Sequence, residues 1–288
     1  MTMTWVLGQQ IWNGFVTGMA YSLFAMGLTL IFGVLGVINI AHGELYMLGA
    51  MLLWTTTSLL KLNFFLGMFL SVFMVGAFGI LFNRTTIRPL INAHPLTTML
   101  STMAVSVMLI NASMIVWGTD ARAISTPFEG TYNFFGAVLS HESMALCLIG
   151  AAALVGVHLF LNKTKIGKAI QATNQNRIGA HLIGINVTLI YSFTMALSSA
   201  LAAIAGVIMG PIWVVYPSMG QDVILKGFAI VVVSGMGNLA ASVVVGLLLG
   251  ITEALFSQYI SMYYTDAYAF GLMIIVLLVR PQGLFKAA

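Results

Sequence analysis

Residues 196–215 read ALSSALAAIAGVIMGPIWVV, a run without one charged side chain. At 1.5 Å of rise per helical residue, a stretch of this length spans the ~30 Å hydrocarbon core of a bilayer. Apolar residues follow one another here without the period-two alternation of a barrel strand, and Ser242–Leu255 behaves in the same way. Outward from this run the pattern recurs. Nine apolar segments lie at roughly 5–33, 43–60, 64–83, 95–117, 141–162, 189–213, 223–237, 240–258 and 267–279. The seventh is short and broken by glycine, so the count is eight full spans or nine.

Composition agrees. Charged residues make up 6% of the 288 positions and hydrophobic residues 60%, with a mean hydropathy of +1.03. Soluble domains carry about 25% charged residues, and a chain this poor in charge cannot cover a water-facing surface. The expected fold is all-α: a polytopic transmembrane helical bundle with broken helices, forming one transmembrane domain over 1–288. A net charge of +4 would suggest nucleic acid in a soluble protein. Here the positive-inside bias explains it, and no nucleic-acid partner is expected. The lone Cys147 permits neither an internal disulfide nor a cysteine metal site. The N-terminus shows no basic region and cleavage site of a secretory signal.

Just upstream of the opening run lies a polar island, 163–186. It holds Lys163, Lys165, Lys168 and Arg177 and no acid. Placing it in the cytoplasm together with Arg84, Arg88, Arg280 and Lys286 puts most basic residues inside. Asp120, Glu129, Glu142, Asp222 and Asp266 then fall on the outer side. Nine crossings give an outer N-terminus and an inner C-terminus. Within the island, Ile166, Ala169, Ile170 and Thr173 recur at helical spacing with Lys165, Lys168 and Gln171 on other faces. Such an amphipathic helix rests on lipid headgroups or enters a groove of a cytoplasmic partner. The outer connection 118–140 carries Phe128, Tyr132, Phe134 and Phe135, which suit either a surface that packs on a partner or a loop that folds back on the bundle.

Three places carry potential chemistry. Asn39-Ile-Ala-His42-Gly43-Glu44 is a polar break between two apolar segments, flanked by Gly36. Irregular backbone at membrane depth survives only inside protein or beside a cavity, where it forms substrate sites and gates. The alternative is a buried cap, with Glu44 at the positive end of the second helix. Ser234-Gly235-Met-Gly237-Asn238 predicts a tight turn or helix break. Glu253, Asn13 and Asn111 are polar groups within apolar segments, and Glu253 is either functional or paired, for example with Lys226. Small residues such as Gly206 with Gly210 and Gly246 with Gly250 suit close helix packing, within the chain or at a subunit interface. His42 has no second ligand at metal spacing, and no P-loop or nucleophile–base arrangement occurs, so this chain itself is not expected to be an enzyme or to hydrolyse ATP.

The run Gly27–Gly33 followed by Gly36–Glu44 resembles the membrane subunits of branched-chain amino acid ABC importers, the LivH-type permeases. Asn13-Gly14 with Tyr21, Gly167-Lys168-Ala169 through Gln175-Asn176 to Gly184, Lys226-Gly227 with Gly235-Met-Gly237, and Arg280–Phe285 add to the likeness in order along the chain. The resemblance implies a bacterial inner-membrane permease with no cofactor of its own. It implies a second related permease subunit, two cytoplasmic ATP-binding subunits and a periplasmic binding protein as partners, in contact with membrane lipid. It makes 163–186 the segment that couples to the ATPases, through Ile166, Gly167, Lys168, Ala169, Ile170, Thr173, Gln175, Asn176 and Gly184. A charge at Ala169 should then disturb coupling and not folding. Asn13, Tyr21, Asn39, His42, Glu44 and Glu253 are the expected substrate-pathway residues, and Gly43, Gly235 and Gly237 the helix breaks. Substrates in such a family include Leu, Ile and Val, with urea or short amides as the alternative. An ion-coupled secondary amino acid transporter is the rival from a different class.

Overall fold

The computed structural model describes residues 2–134, 137–280 and 283–285. Eleven helices and one small hairpin are present among these residues. Seven helices, counted with their irregular ends, are long and apolar enough to cross a membrane. They are built on α1 (Thr2–Leu35), α3 (Phe64–Phe82), α4 (Pro95–Trp117), α5 (His141–Lys163), α8 (Val187–Ile212), α10 (Leu239–Tyr259) and α11 (Thr265–Val279). Two shorter helices, α2 (His42–Trp54) and α9 (Met219–Ser234), lie among them. The strands β1 (Thr131–Phe134) and β2 (Ala137–Ser140) pair antiparallel, and α6 (Lys165–Gln175) and α7 (Arg177–Leu182) follow α5. The protein is a multi-pass membrane protein.

The chain punctuates its helices with polar caps. Thr164 accepts from the Gly167 amide at 2.9 Å, Asn176 from Gly179 at 2.8 Å, and Asn186 from Leu189 and Asn238 from Ala241 at 3.1 Å each. Each bond satisfies a free amide that a helix start leaves open. These caps lie at one end of the bundle, where Arg177 donates to the Leu35 carbonyl at 3.1 Å and the Leu284 amide donates to Val233 at 2.8 Å. Arg84, Arg88, α6 and Arg280 share that end, called the basic end below. Lys286, Pro281 and Gln282 lie outside the described residues.

Two halves of the chain pack as an inverted pair. In the first, α1 descends to the basic end, residues 36–41 lead back as irregular chain closed by a turn, and α2 rises. In the second, α8 rises, residues 213–218 lead back in the same way, and α9 descends. The first helix of each half packs along the third of the other: α1 against α10, and α8 against α3. Both seams run on small residues. Gly14 and Gly18 lie against the backbone of Gly250–Ile251 and Leu247, and Gly76 faces Ala196 and Ala200. Gly206 and Gly210 likewise face Tyr46 and Ala50 of this chain, and Gly246 faces Ser22. These glycines therefore serve packing within the chain, where small residues let backbones approach in the absence of a hydrophobic drive between helices. Buried hydroxyls return to carbonyls one turn back: Ser22 to Gly18 and Ser71 to Gly67, each at 2.7 Å.

The connection 118–140 folds onto the end opposite the basic one. Arg122 and Val215 exchange backbone hydrogen bonds of 2.9 and 2.8 Å, and the Arg122 guanidinium lies 4.0 Å over the Trp54 ring. Ile124 is buried, and Phe128 packs edge-on against Phe64 and Phe65. Phe135 lies outside the described residues.

A candidate translocation site where two broken helices meet

Each break has a local cause. Helix α1 stops at Leu35 because Gly36 takes a φ of +70°, a left-handed conformation costly for other residues. Helix α8 stops one residue after Pro211, whose ring removes an amide and crowds the preceding turn. The chain then runs without helix to a turn, at 40–41 and at 217–218, from which α2 and α9 begin. Their starts meet: the backbones of Gly43 and Gly220 touch, so that a side chain on either would strike the other. The meeting point is deep. His42 packs beside Gly27 and its Nε2 is 3.2 Å from the Phe24 carbonyl oxygen. That level is about 12–16 Å from the end of α1 by helical rise, near the middle of a ~30 Å core.

Polar groups crowd this crossing. Asn39, His42 and Glu44 are all buried. Ser106 of α4 donates to Glu44 Oε1 at 3.0 Å, and Thr102, one turn earlier, lies 3.2 Å from the Ile40 amide. Both ends of the Asn39 amide, His42 Nδ1 and Glu44 Oε2 meet no hydrogen-bonding partner among the described residues. On the other helix, Gln221 and Asp222 are exposed in the first turn of α9, and the Tyr216 hydroxyl donates to Asp222. A carboxylate and an amide exposed at this depth are costly against lipid, and such groups face protein or water.

A second polar cluster is closed. Lys226 of α9 pairs with Glu253 of α10 at 2.6 Å and with Asp266 of α11 at 3.3 Å. Its ammonium also donates to the Tyr21 hydroxyl of α1 at 3.2 Å, and that hydroxyl lies 3.4 Å from Glu253 Oε1. One lysine thus ties four helices together.

Comparison with known proteins places this architecture. A family model described as "Branched-chain amino acid transport system / permease component" matches residues 10–277. The chain belongs to this permease family. It is 32% identical to the high-affinity branched-chain amino acid transport system permease protein BraD of Pseudomonas aeruginosa, covering 96% of this chain and 94% of that one. It is 31% identical to the LivH permease protein of Escherichia coli K12, with the same coverage. Among solved structures, PsaBC from Streptococcus pneumoniae in complex with Fab shares the fold at a TM-score of 0.51 and 15% identity, over 94% of this chain and 91% of that one.

Within this permease the residues singled out from sequence separate into groups. Asn39, His42, Gly43 and Glu44 gather at the crossing. Tyr21 and Glu253 belong to the closed cluster around Lys226. Asn13 joins neither; it is exposed near the far end of α1 and accepts from Gln9 at 3.2 Å. Gly235 and Gly237, at φ of 88° and 93°, form the tight turn between α9 and α10 at the basic end. Gln221, Asp222 and Tyr216 were not singled out: Asp222 reads as an outer-loop acid and the seventh segment as starting at 223, whereas α9 starts at Met219 inside the bundle. The signal was available in Tyr216-Pro217-Ser-Met-Gly220-Gln-Asp, which repeats the polar, glycine-bearing entry to α2.

The apolar face of the amphipathic island packs on its own bundle and is not free for a partner's groove. Gly167, Ile170 and Thr173 are buried, and α6 packs on α5, α1 and α8 of this chain. Gly167 lies directly on the Phe160–Leu161 backbone, leaving no room for a side chain. Ala169 is partly buried against the same core, so a charge there strikes the fold as well as any partner. Ile166 sits at the edge of this face, while Lys168, Gln175, Asn176 and Gly184 are exposed. The large apolar side chains left uncovered are on and just after α7: Ile178, Leu182 and Ile183 are 73%, 80% and 75% exposed.

Proposed function

We propose that this chain is a permease subunit of an ATP-driven importer of branched-chain or closely related amino acids in the bacterial inner membrane. One observation carries the reading: the first turn of α9 presents Gln221 and Asp222 at membrane depth, where two helices are broken. That face suits a route for a polar solute between this subunit and a second, related one. The family membership and the names of its relatives support branched-chain amino acids as cargo.

Energy enters from the basic end, which the charge bias makes cytoplasmic. Ile178, Leu182 and Ile183 offer an exposed apolar patch for an ATP-binding subunit, one such subunit for each permease. A periplasmic binding protein delivers solute at the opposite end, over the folded connection 118–140. Lys165 and Lys168, exposed on α6, lie where anionic headgroups would meet them.

The coupling path is short. Arg177 opens α7, stacks 5.2 Å from the Tyr191 ring and holds the last carbonyl of α1. Asn174 of α6 lies against Gly33. A shift of α6–α7 on ATP binding therefore reaches Leu35 and Gly36, the hinge from which 36–41 climbs to Glu44. ATP binding in the partners favours one arrangement of the crossing over the other, which is the free-energy difference that alternating access needs.

The test is reconstitution of this chain with its permease partner, ATPases and binding protein in proteoliposomes. Leucine uptake that requires internal ATP is expected. Uptake driven by a proton or sodium gradient without ATPase subunits would favour the ion-coupled reading, and uptake of urea or acetamide in place of leucine would change the substrate class.

A further inference from the structure

Glu44 and Glu253 are the two acidic residues buried among the described residues. Glu253 has the Lys226 ammonium at 2.6 Å on Oε1, with the Tyr21 hydroxyl beside it. Glu44 is 1% exposed and has a hydroxyl, Ser106 Oγ, at 3.0 Å on Oε1, but no basic side chain pairs with it among the described residues. Neither acid's Oε2 meets a partner there; what sets Glu44 apart is the missing ammonium and the place of its Oε2. That oxygen points at the start of α9: it would lie 3.0 Å from a Cβ built on Gly220. A carboxylate held away from water without a counter-charge is unfavourable, and an arriving cation relieves it.

We infer that Glu44 Oε2 receives the α-ammonium group of the transported amino acid between the first turns of α2 and α9. This rests on the importer reading and adds the group recognised and the residue that recognises it. The chain supplies a partial template itself: around Lys226 a primary ammonium sits among the Glu253 and Asp266 carboxylates and the Tyr21 hydroxyl. Glu44 and Ser106 present one carboxylate and one hydroxyl of that set, with the serine oxygen still able to accept a bond and Asp222 nearby as a second acid. Glycine at 43 and 220 keeps the two starts in contact without side chains between them. The gap opens when the turns separate, and Asp222, exposed beside it, attracts the cationic end on approach. Leu, Ile and Val share this ammonium and differ only in the apolar part. One site of this kind therefore admits all three, and it excludes neutral amides that lack a cation.

The test uses the complete transporter in proteoliposomes. Glu44→Gln keeps the shape and the Ser106 contact and removes the charge. It should assemble with its partners at wild-type yield and lose leucine uptake by about tenfold or more, the scale of one charge-assisted contact. Uptake within about twofold of wild type, in a correctly assembled complex, would overturn the inference. A second measurement needs no variant. Carbodiimide labelling of Glu44 in the wild-type complex, read by mass spectrometry, should be slowed by leucine but not by 4-methylpentanoate or by exchanging choline for sodium. Equal labelling with and without leucine would overturn the assignment, and protection by sodium alone would give the site to an inorganic cation instead. Failure of the importer reading looks different: wild-type vesicles would then show no ATP-dependent amino acid uptake at all.

Discussion

Glu253 and Glu44 are carboxyl groups of one kind, buried in one bundle, under opposite conditions. Glu253 is answered from within on Oε1, where Lys226 and Tyr21 meet it and the lysine reaches on to Asp266, so that α1, α9, α10 and α11 are joined. Its Oε2, like that of Glu44, has no partner among the described residues, and the two acids differ in the ammonium that one has and the other lacks. Glu44 is answered by a single serine at a point where two helix starts press together. The same contrast separates α6 from α7 at the basic end. The apolar face of α6 is absorbed by its own bundle, while Ile178 and Leu182 of α7 stand uncovered. Charges paired inside the chain hold the fold; a buried charge without a counter-ion, or an uncovered apolar patch, is proposed as the place where something arrives.

The sharpest way to break this contrast is to remove the internal cation. Lys226→Met leaves Glu253 buried without its partner and should destabilise the protein by about 3–5 kcal/mol. The drop should be visible as a lower thermal midpoint in detergent. Lys226→Met combined with Glu253→Leu should recover most of that loss, because an apolar pair of similar size needs no counter-charge.

Next in size is the patch on α7. Leu182→Asp should weaken capture of the ATP-binding subunits by about 2 kcal/mol or more, the scale of an interface hot spot, measured as co-purification yield. The permease itself should melt as before. Ile170→Asp, on the absorbed face of α6, should instead lower the melting temperature.

A smaller effect is expected at Arg177. Arg177→Gln removes the charged donor to the Leu35 carbonyl, worth about 1.5–3 kcal/mol at most and less at this partly exposed site. Uptake per ATP hydrolysed should fall while assembly persists. The smallest change is the stability of Glu44→Gln, which breaks no ion pair and should move the melt by no more than about 1 kcal/mol. A collapse as large as that of Lys226→Met would erase the contrast between the two acids.

Much of this architecture was legible in the sequence because hydropathy and helix caps act locally. The long spans, the break at Asn39–Glu44 and the glycine turn at 235–237 all follow from what adjacent residues permit. Pairing of Glu253 with Lys226 was open to sequence reading only as a possibility, since the two residues sit on different helices and nothing local fixes their distance. The face of α6 was misassigned for a physical reason: an amphipathic stripe looks the same whether it packs on its own bundle or in a partner's groove. Asp222 was misplaced because a polar stretch before an apolar run reads as a loop. Its depth is set by the inverted packing of the two halves, which brings Gly220 against Gly43.

The solute's route is proposed to run along the first turn of α9. This placement is tested most directly by a cysteine at Gln221, in a Cys147→Ser background, in the reconstituted transporter. A small water-soluble thiol reagent should label Gln221→Cys, and trapping the ATPases with ATP and vanadate should change the rate. A cysteine there that reacts only with membrane-dissolved reagents, at one rate in every nucleotide state, would show that this face meets lipid and contradict the account.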